Sequence, residues 1–237
     1  MEARTRARVL VVGDSGAGKS SLVHKVCCGR VLVAPEWTVG CQVEVRLLGA
    51  RGPGDEPFFA ELLDVGCHNS YELSRRMFYA NVDAVLLVYD VSNYKSFSNL
   101  RGWISELSTK VVLSPQQLLQ QQQLSQQLLQ QQKLSSQQPS HQLHETGSAW
   151  GGRRIASLPV LVVGNKADLV LNWTRVPNVF NALGFESVNV SSVTALDSPG
   201  GSEGFDRIEH FIRCVAKGNR GQEVSYYNAG SLLLDMA

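Results

Sequence analysis

Short apolar runs alternate along the chain with stretches of helical period. Arg8 to Val12 reads as a first strand, followed by a glycine-rich turn and a helix from about Gly18 to Cys28. Gln42 to Leu48 alternates as QVEVRLL, and the Gly/Pro/Asp cluster from Gly49 to Pro57 turns the chain. Phe58 to Asp64 then returns, which predicts an antiparallel hairpin at one sheet edge. Ala84 to Asp90 (AVLLVYD) and Pro159 to Gly164 (PVLVVG) are apolar on both alternating sets, as strands buried on two faces require. A weaker last strand covers Ser187 to Val190. Helical spacing falls at Ser70 to Ala80, Tyr94 to Lys110, Trp173 to Leu183 and Glu203 to Lys217. Strands alternating with helices predict an open α/β sheet, six-stranded and mostly parallel, with helices on both faces.

One segment breaks the pattern. Ser114 to Ser157 holds QQLLQQQQLSQQLLQQQKLSSQQ and then a Ser/His/Gly-rich stretch, with too few apolar positions at a steady period to build a core. The pairs Leu118/Leu119 and Leu128/Leu129 invite a coiled coil, but the heptads are too few and irregular. It reads as an insertion, disordered or helical only in parts. The tail after Gly218 is polar apart from Leu232 to Leu234 and reads as loose or docked on a partner.

Composition narrows the picture. The 237 residues, 43% hydrophobic and 18% charged, suit one domain able to bury a core without staples. Lys+Arg 22 against Asp+Glu 21 leaves a net charge of +1, which argues against nucleic acid as the main ligand. No run of eighteen apolar residues occurs, and MEARTRARVLVVG leads straight into a glycine motif, a first strand rather than a signal peptide. The five cysteines, Cys27, Cys28, Cys41, Cys67 and Cys214, form no CxxC and no His/Cys cluster. That odd count predicts a reduced, intracellular protein with neither a disulfide framework nor a zinc site. His24, on the first helix, reads as a packed or surface histidine.

Gly13-Asp14-Ser15-Gly16-Ala17-Gly18-Lys19-Ser20 matches GxxxxGK[ST] between a strand and a helix. Such a loop turns backbone N–H groups inward around phosphates, and the helix N-terminus adds its positive end. Lys19 would reach the β- and γ-phosphates, the Ser20 hydroxyl would ligate Mg²⁺, and Ser21 continues the phosphate-binding turn. The base is specified by Asn165-Lys166-Ala167-Asp168, directly after PVLVVG. A carboxylate at Asp168 accepts from both N1–H and the exocyclic amine of guanine, a donor pair that adenine lacks. Asn165 would brace the loop, and the Lys166 stem would lie over the ring.

With these motifs in place the chain resembles the Ras-like small GTPases, a single P-loop NTPase domain, and GDSGAGKSSL resembles the Rab branch. Pro35 to Cys41 (PEWTVGC) and Leu62 to Gly66 (LLDVG) look most like the Rab-like protein three subfamily, which also carries a longer connection where the glutamine tract falls. The resemblance implies GTP/GDP and Mg²⁺ as cofactors. It implies Thr38 as the switch threonine on Mg²⁺ and γ-phosphate, Asp64 as the outer Mg²⁺ carboxylate, and Ser192 and Val193 as part of the last guanine loop. The domain then comprises 1–113 and 158–217, with 114–157 an insertion and 218–237 a tail.

Two residues depart from the family's Asp-x-x-Gly-Gln. Here Asp64-Val65-Gly66 is followed by Cys67, whose Cβ restricts the backbone that senses the γ-phosphate, and His68 replaces the water-orienting glutamine. Slow intrinsic hydrolysis is expected. A thiol at Cys67 could also be redox-sensitive. Trp37, before the switch threonine, suits either a partner anchor or packing over the nucleotide. After Cys214 there is no cysteine, so no prenylation motif ends the sequence, and Met-Glu excludes N-myristoylation. The expectation is a cytoplasmic switch without a direct lipid anchor, engaging unidentified effectors and regulators, with self-association as a homodimer open to it on the subfamily resemblance. The alternative is a nucleotide-bound dimeric adaptor for other small GTPases or their lipidation, hydrolysing little GTP.

Overall fold

The computed structural model describes residues 6–52, 56–68, 72–110, 158–170, 185–194 and 202–217. Six strands, β1 (Arg6–Gly13), β2 (Cys41–Leu48), β3 (Phe58–Val65), β4 (Ala84–Asp90), β5 (Val160–Asn165) and β6 (Glu186–Asn189), make one sheet in the order β2-β3-β1-β4-β5-β6. β2 pairs antiparallel with β3, and every other pairing is parallel. The helices are α1 (Lys19–Cys28), α2 (Glu72–Arg75), α3 (Tyr94–Ser98), α4 (Leu100–Lys110) and α5 (Glu203–Ala216).

Alternate residues of each central strand feed two separate cores, because successive side chains leave opposite faces. Val9, Val11, Leu86, Val88 and Leu161 pack with Leu22 and Val26 of α1 and Ile208 and Phe211 of α5. Leu10, Val12, Leu87 and Val162 pack on the other face with Leu100, Trp103 and Leu107 of α4. All the strand residues named are essentially inaccessible to water. Helices therefore cover both faces, as the doubled apolar pattern predicts.

The expected helix over Tyr94–Lys110 is two helices. Asn99 interrupts it: its N–H closes α3 on the Lys95 carbonyl, and its side chain turns to Asp14. The helix expected over Ser70–Ala80 is described only from Glu72 and tightens into a 3₁₀ turn at Arg76–Tyr79. The predicted helix at Trp173–Leu183, the 114–157 insertion and the 218–237 tail lie outside the described residues. Among the described residues no helix is long and apolar enough to cross a membrane.

The edge strand β2 carries an inversion. Val43, Val45 and Leu47 are exposed, whereas Glu44 and Arg46 are partly covered. The inner polar residues meet polar groups of the helices rather than core: Arg46 Nη1 donates to the Val26 carbonyl at 2.9 Å and pairs with Glu209 of α5 at 3.3 Å.

Candidate functional site

The sheet order reverses direction at β1, which has β3 on one side and β4 on the other. In such sheets the crevice beyond the strands' carboxyl ends is where ligands bind. Gly13 ends β1 there, beside Asp64 near the end of β3, Asp90 ending β4 and Asn165 ending β5.

The loop from Gly13 to Lys19 is constrained by its glycines. A Cβ on Gly13, at φ +146, would sit 1.9 Å from the Val88 carbonyl oxygen, so only glycine lets the chain leave β1 past β4. Gly18 precedes α1 in the left-handed region; among the described residues no side chain caps that helix start, and no acidic residue falls in its first turn. Its N–H groups and positive end are thus left for an anion. Lys19 is buried within the loop, and its Nζ donates to the carbonyls of Gly13 and Asp14 at 3.0 Å each. Ser15 and Gly16 are exposed at the loop's crest, Ala17 is buried beneath it, and Ser21 is half-buried on α1.

Three oxygens from distant parts of the sequence converge next to it. Ser20 Oγ donates to Asp64 Oδ2 at 2.5 Å, Thr38 Oγ1 donates to the same atom at 3.0 Å, and the two hydroxyls are 3.0 Å apart. Asp64 is 1% exposed, and its buried Oδ1 has no hydrogen-bond partner among the described residues. Two hydroxyls and a carboxylate with an unsatisfied buried oxygen are the hard-oxygen donor set that suits Mg²⁺. The residues present fit that ion.

Asn165 joins the phosphate loop to the last loop. Its Nδ2 donates to the carbonyls of Ala17 and Gly18 at 3.1 Å each, and its Oδ1 accepts from Ser192 N–H at 3.2 Å and Ser192 Oγ at 2.8 Å. Lys166, in the left-handed region at φ +63, turns the chain out of β5 and pairs with Asp90 Oδ2 at 2.8 Å. Burial alone would raise the Asp90 pKa. Hydrogen bonds from Lys166 and Ser92 outweigh it, so the group stays charged to lower pH than usual. Asp168 is exposed and accepts from Ser191 Oγ at 2.5 Å; Val193, also exposed, points its N–H at Ser191 Oγ, 3.4 Å away. Lys25 donates to the carbonyls of Ser191 and Thr194, tying α1 to this loop, and burial lowers its pKa against the opposing pull of Asp168.

The segment after Asp64 explains the early glycine. Gly66 N–H donates to the Gly40 carbonyl at 2.8 Å, and a Cβ on Gly66 would meet the Thr38 carbonyl oxygen at 2.5 Å. The glycine at 66 serves close approach to the strand-entry segment carrying Thr38. Cys67 is half-buried against the second core, and its carbonyl accepts from Arg75 Nη1 at 3.3 Å; His68 follows it, exposed. Trp37 is 79% exposed, just before Thr38.

A second network was invisible in the sequence. Asp14, in the phosphate loop, accepts from Asn99 Nδ2 at 2.6 Å and Trp103 Nε1 at 2.9 Å. Arg75 lies over the Trp103 ring at 4.7 Å and forks onto Glu106 at 2.8 and 2.5 Å, while Tyr79 also donates to Glu106 at 2.7 Å. Together with the bond to the Cys67 carbonyl, these contacts run from the phosphate loop through α4 to the segment after Asp64. Trp103 and Arg75 read as ordinary helix positions, and no motif marks either one.

Comparison with known proteins agrees with this arrangement. The model of the Ras family matches residues 8–150. A Danio rerio protein described as Rab-like protein 3 is 45% identical over 116 residues, 46% of this chain and 50% of that protein. The Mus musculus protein of the same description is 30% identical over 226 residues, covering 90% of this chain and 85% of its own length. An Arabidopsis thaliana protein described as Small GTPase LIP1 is 32% identical over 174 residues, 69% of this chain and 42% of that protein. The match spans about half the length of several of these curated relatives. With the family model matched over more than half the chain and a relative aligned along most of it, this protein belongs to the Ras family of small GTPases and is related to the Rab-like proteins.

Proposed function

We propose that the chain is a guanine-nucleotide switch that binds GTP and GDP with Mg²⁺ and hydrolyses GTP slowly, in intracellular signalling or vesicle trafficking. The observation that carries the proposal is Asn165, whose one amide braces the phosphate loop and the Ser192 loop together. A phosphate cradle and a guanine-reading carboxylate, Asp168, then belong to one crevice. Lys19 supplies the cation toward the phosphates, and Ser20, Thr38 and Asp64 would hold Mg²⁺, which when bound neutralises phosphate charge. The exposed apolar residues Trp37, Val39, Val43, Val45 and Leu47 offer the surface for effectors and regulators.

Slow hydrolysis rests on His68. A neutral imidazole has one donor and one acceptor on opposite sides of its ring, whereas an amide carries both at one end. Single-turnover phosphate release from GTP-loaded protein should rise about 10–100-fold in His68→Gln, because the attacking water regains its orientation. A wild-type rate equal to that of His68→Gln would refute this role. The exposed apolar strip favours a second reading, a nucleotide-bound dimeric adaptor. Tight guanine-selective binding without turnover in either protein would establish that reading instead.

A further inference from the structure

Toward the C-terminal end of α1, away from the nucleotide crevice, a second set of donors comes together. His24 and Cys28 are four residues apart on α1 and so share a helix face. Glu44 reaches them from the inner side of β2, where the strand's inverted pattern places polar residues. His24 Nδ1 is 3.3 Å from Glu44 Oε1, Cys28 Sγ is 3.8 Å from Glu44 Oε2, and the three ligand atoms all lie within 4.8 Å of one another.

We propose that His24, Cys28 and Glu44 form a binding site for a transition-metal ion, zinc first among them. Imidazole nitrogen, thiolate sulfur and carboxylate oxygen are the zinc donor set, and sulfur disfavours magnesium or calcium. On binding, the Cys28 thiol gives its proton to solvent; thiolate and carboxylate together then balance the double positive charge, with His24 neutral. Tetrahedral bonds of about 2.0–2.3 Å set neighbouring donors roughly 3.3–3.7 Å apart. The histidine–glutamate pair already has that spacing. Cys28 is exposed, so its sulfur can close the remaining gap by a side-chain rotation; three protein donors leave a fourth position for a water or a ligand from a partner.

The sequence argued against a zinc site because no cysteine–histidine cluster stands out. The site escapes a linear reading for two reasons: HxxxC on a helix is a weak signal, and the third ligand belongs to another element. Filled, it would clip α1, which begins at the phosphate loop, to β2, which follows Thr38. It stands independently of the nucleotide reading.

The test is a cobalt titration of the full chain, stripped with chelator and kept in excess Mg²⁺ so that oxygen-only sites are filled. One equivalent of Co²⁺ should give a near-ultraviolet thiolate charge-transfer band and the visible bands of tetrahedral cobalt, and Zn²⁺ should displace it. Cys28→Ser should abolish the charge-transfer band while Cys41→Ser keeps it. His24→Ala and Glu44→Gln should each weaken binding by more than the 10–100-fold typical of an outer-shell loss. Cys28 is exposed, and a far-ultraviolet circular dichroism spectrum matching wild type certifies that its serine variant is folded. No charge-transfer band in the wild type, or a band that survives Cys28→Ser, would overturn the proposal.

Discussion

Asp168 and Gly66 each do work that depends on an atom rather than on a residue class. Asp168 is exposed at the crevice rim with one carboxylate oxygen held by Ser191 Oγ. As an acceptor-only group it suits guanine, which presents two donors. Asp168→Asn replaces one acceptor with a donor, so GDP affinity should fall at least about 100-fold, the loss expected for two hydrogen bonds to a charged group. Xanthosine diphosphate, which offers a carbonyl where guanine has its amine, should recover much of that loss. Fluorescent-nucleotide titration of both ligands checks it, and equal binding of GDP by the two proteins would remove Asp168 from base recognition. Gly66, for its part, admits the Thr38 carbonyl where any Cβ would clash. A glycine at 66 therefore has a local steric cause in this chain.

At the level of elements, β2 and α5 are joined by charge. Glu209 on α5 accepts from Arg213 Nε at 3.0 Å and pairs with Arg46 of β2 at 3.3 Å and Arg51 at 2.5 Å. Burial alone would raise its pKa; the Arg213 hydrogen bond and the charges of Arg46 and Arg51 outweigh it, and the net shift is downward. A carboxylate depressed on folding stabilises above its ordinary pKa of about 4.3, and that contribution disappears as pH falls from there through the lowered value. Glu209→Gln should therefore destabilise by about 1.5–3 kcal/mol at pH 7, the range for a hydrogen bond to a charged group, and by progressively less below about pH 4. Denaturant unfolding at the two pH values measures this. A difference that stays constant with pH would show that Glu209 acts through shape alone. The alternation QVEVRLL identifies β2 as a strand, yet not which alternate set is covered; that depends on the polar groups of α1 and α5 behind it.

For the whole molecule, the crevice proposed for nucleotide draws on the carboxyl ends of β1, β3, β4 and β5 and on the Ser191–Thr194 loop, so occupying it should tighten the entire domain. GDP with Mg²⁺ at 100 times its dissociation constant should add about 2.7 kcal/mol to stability. At about 2–4 °C per kcal/mol for a domain of this size, melting should rise by roughly 5–10 °C. ATP at the same concentration should leave it unchanged, and an equal shift with ATP would point to a different P-loop chemistry.

The six strands, the doubled apolar pattern of β1, β4 and β5, the phosphate loop and the guanine motif were all legible in order along the chain. Each is short-range: burial on two faces writes a continuous apolar run, and a phosphate loop needs glycines and lysine at fixed offsets. Folding alone decided what lies close in space but far in sequence. It clamped Asp14 with Asn99 and Trp103, and brought Glu44 to His24 and Cys28. Hydrogen-bond partners separated by tens of residues leave no period in a sequence, because their spacing is set by how the sheet orders its strands. That order was settled by the tertiary packing of two helical layers on one sheet.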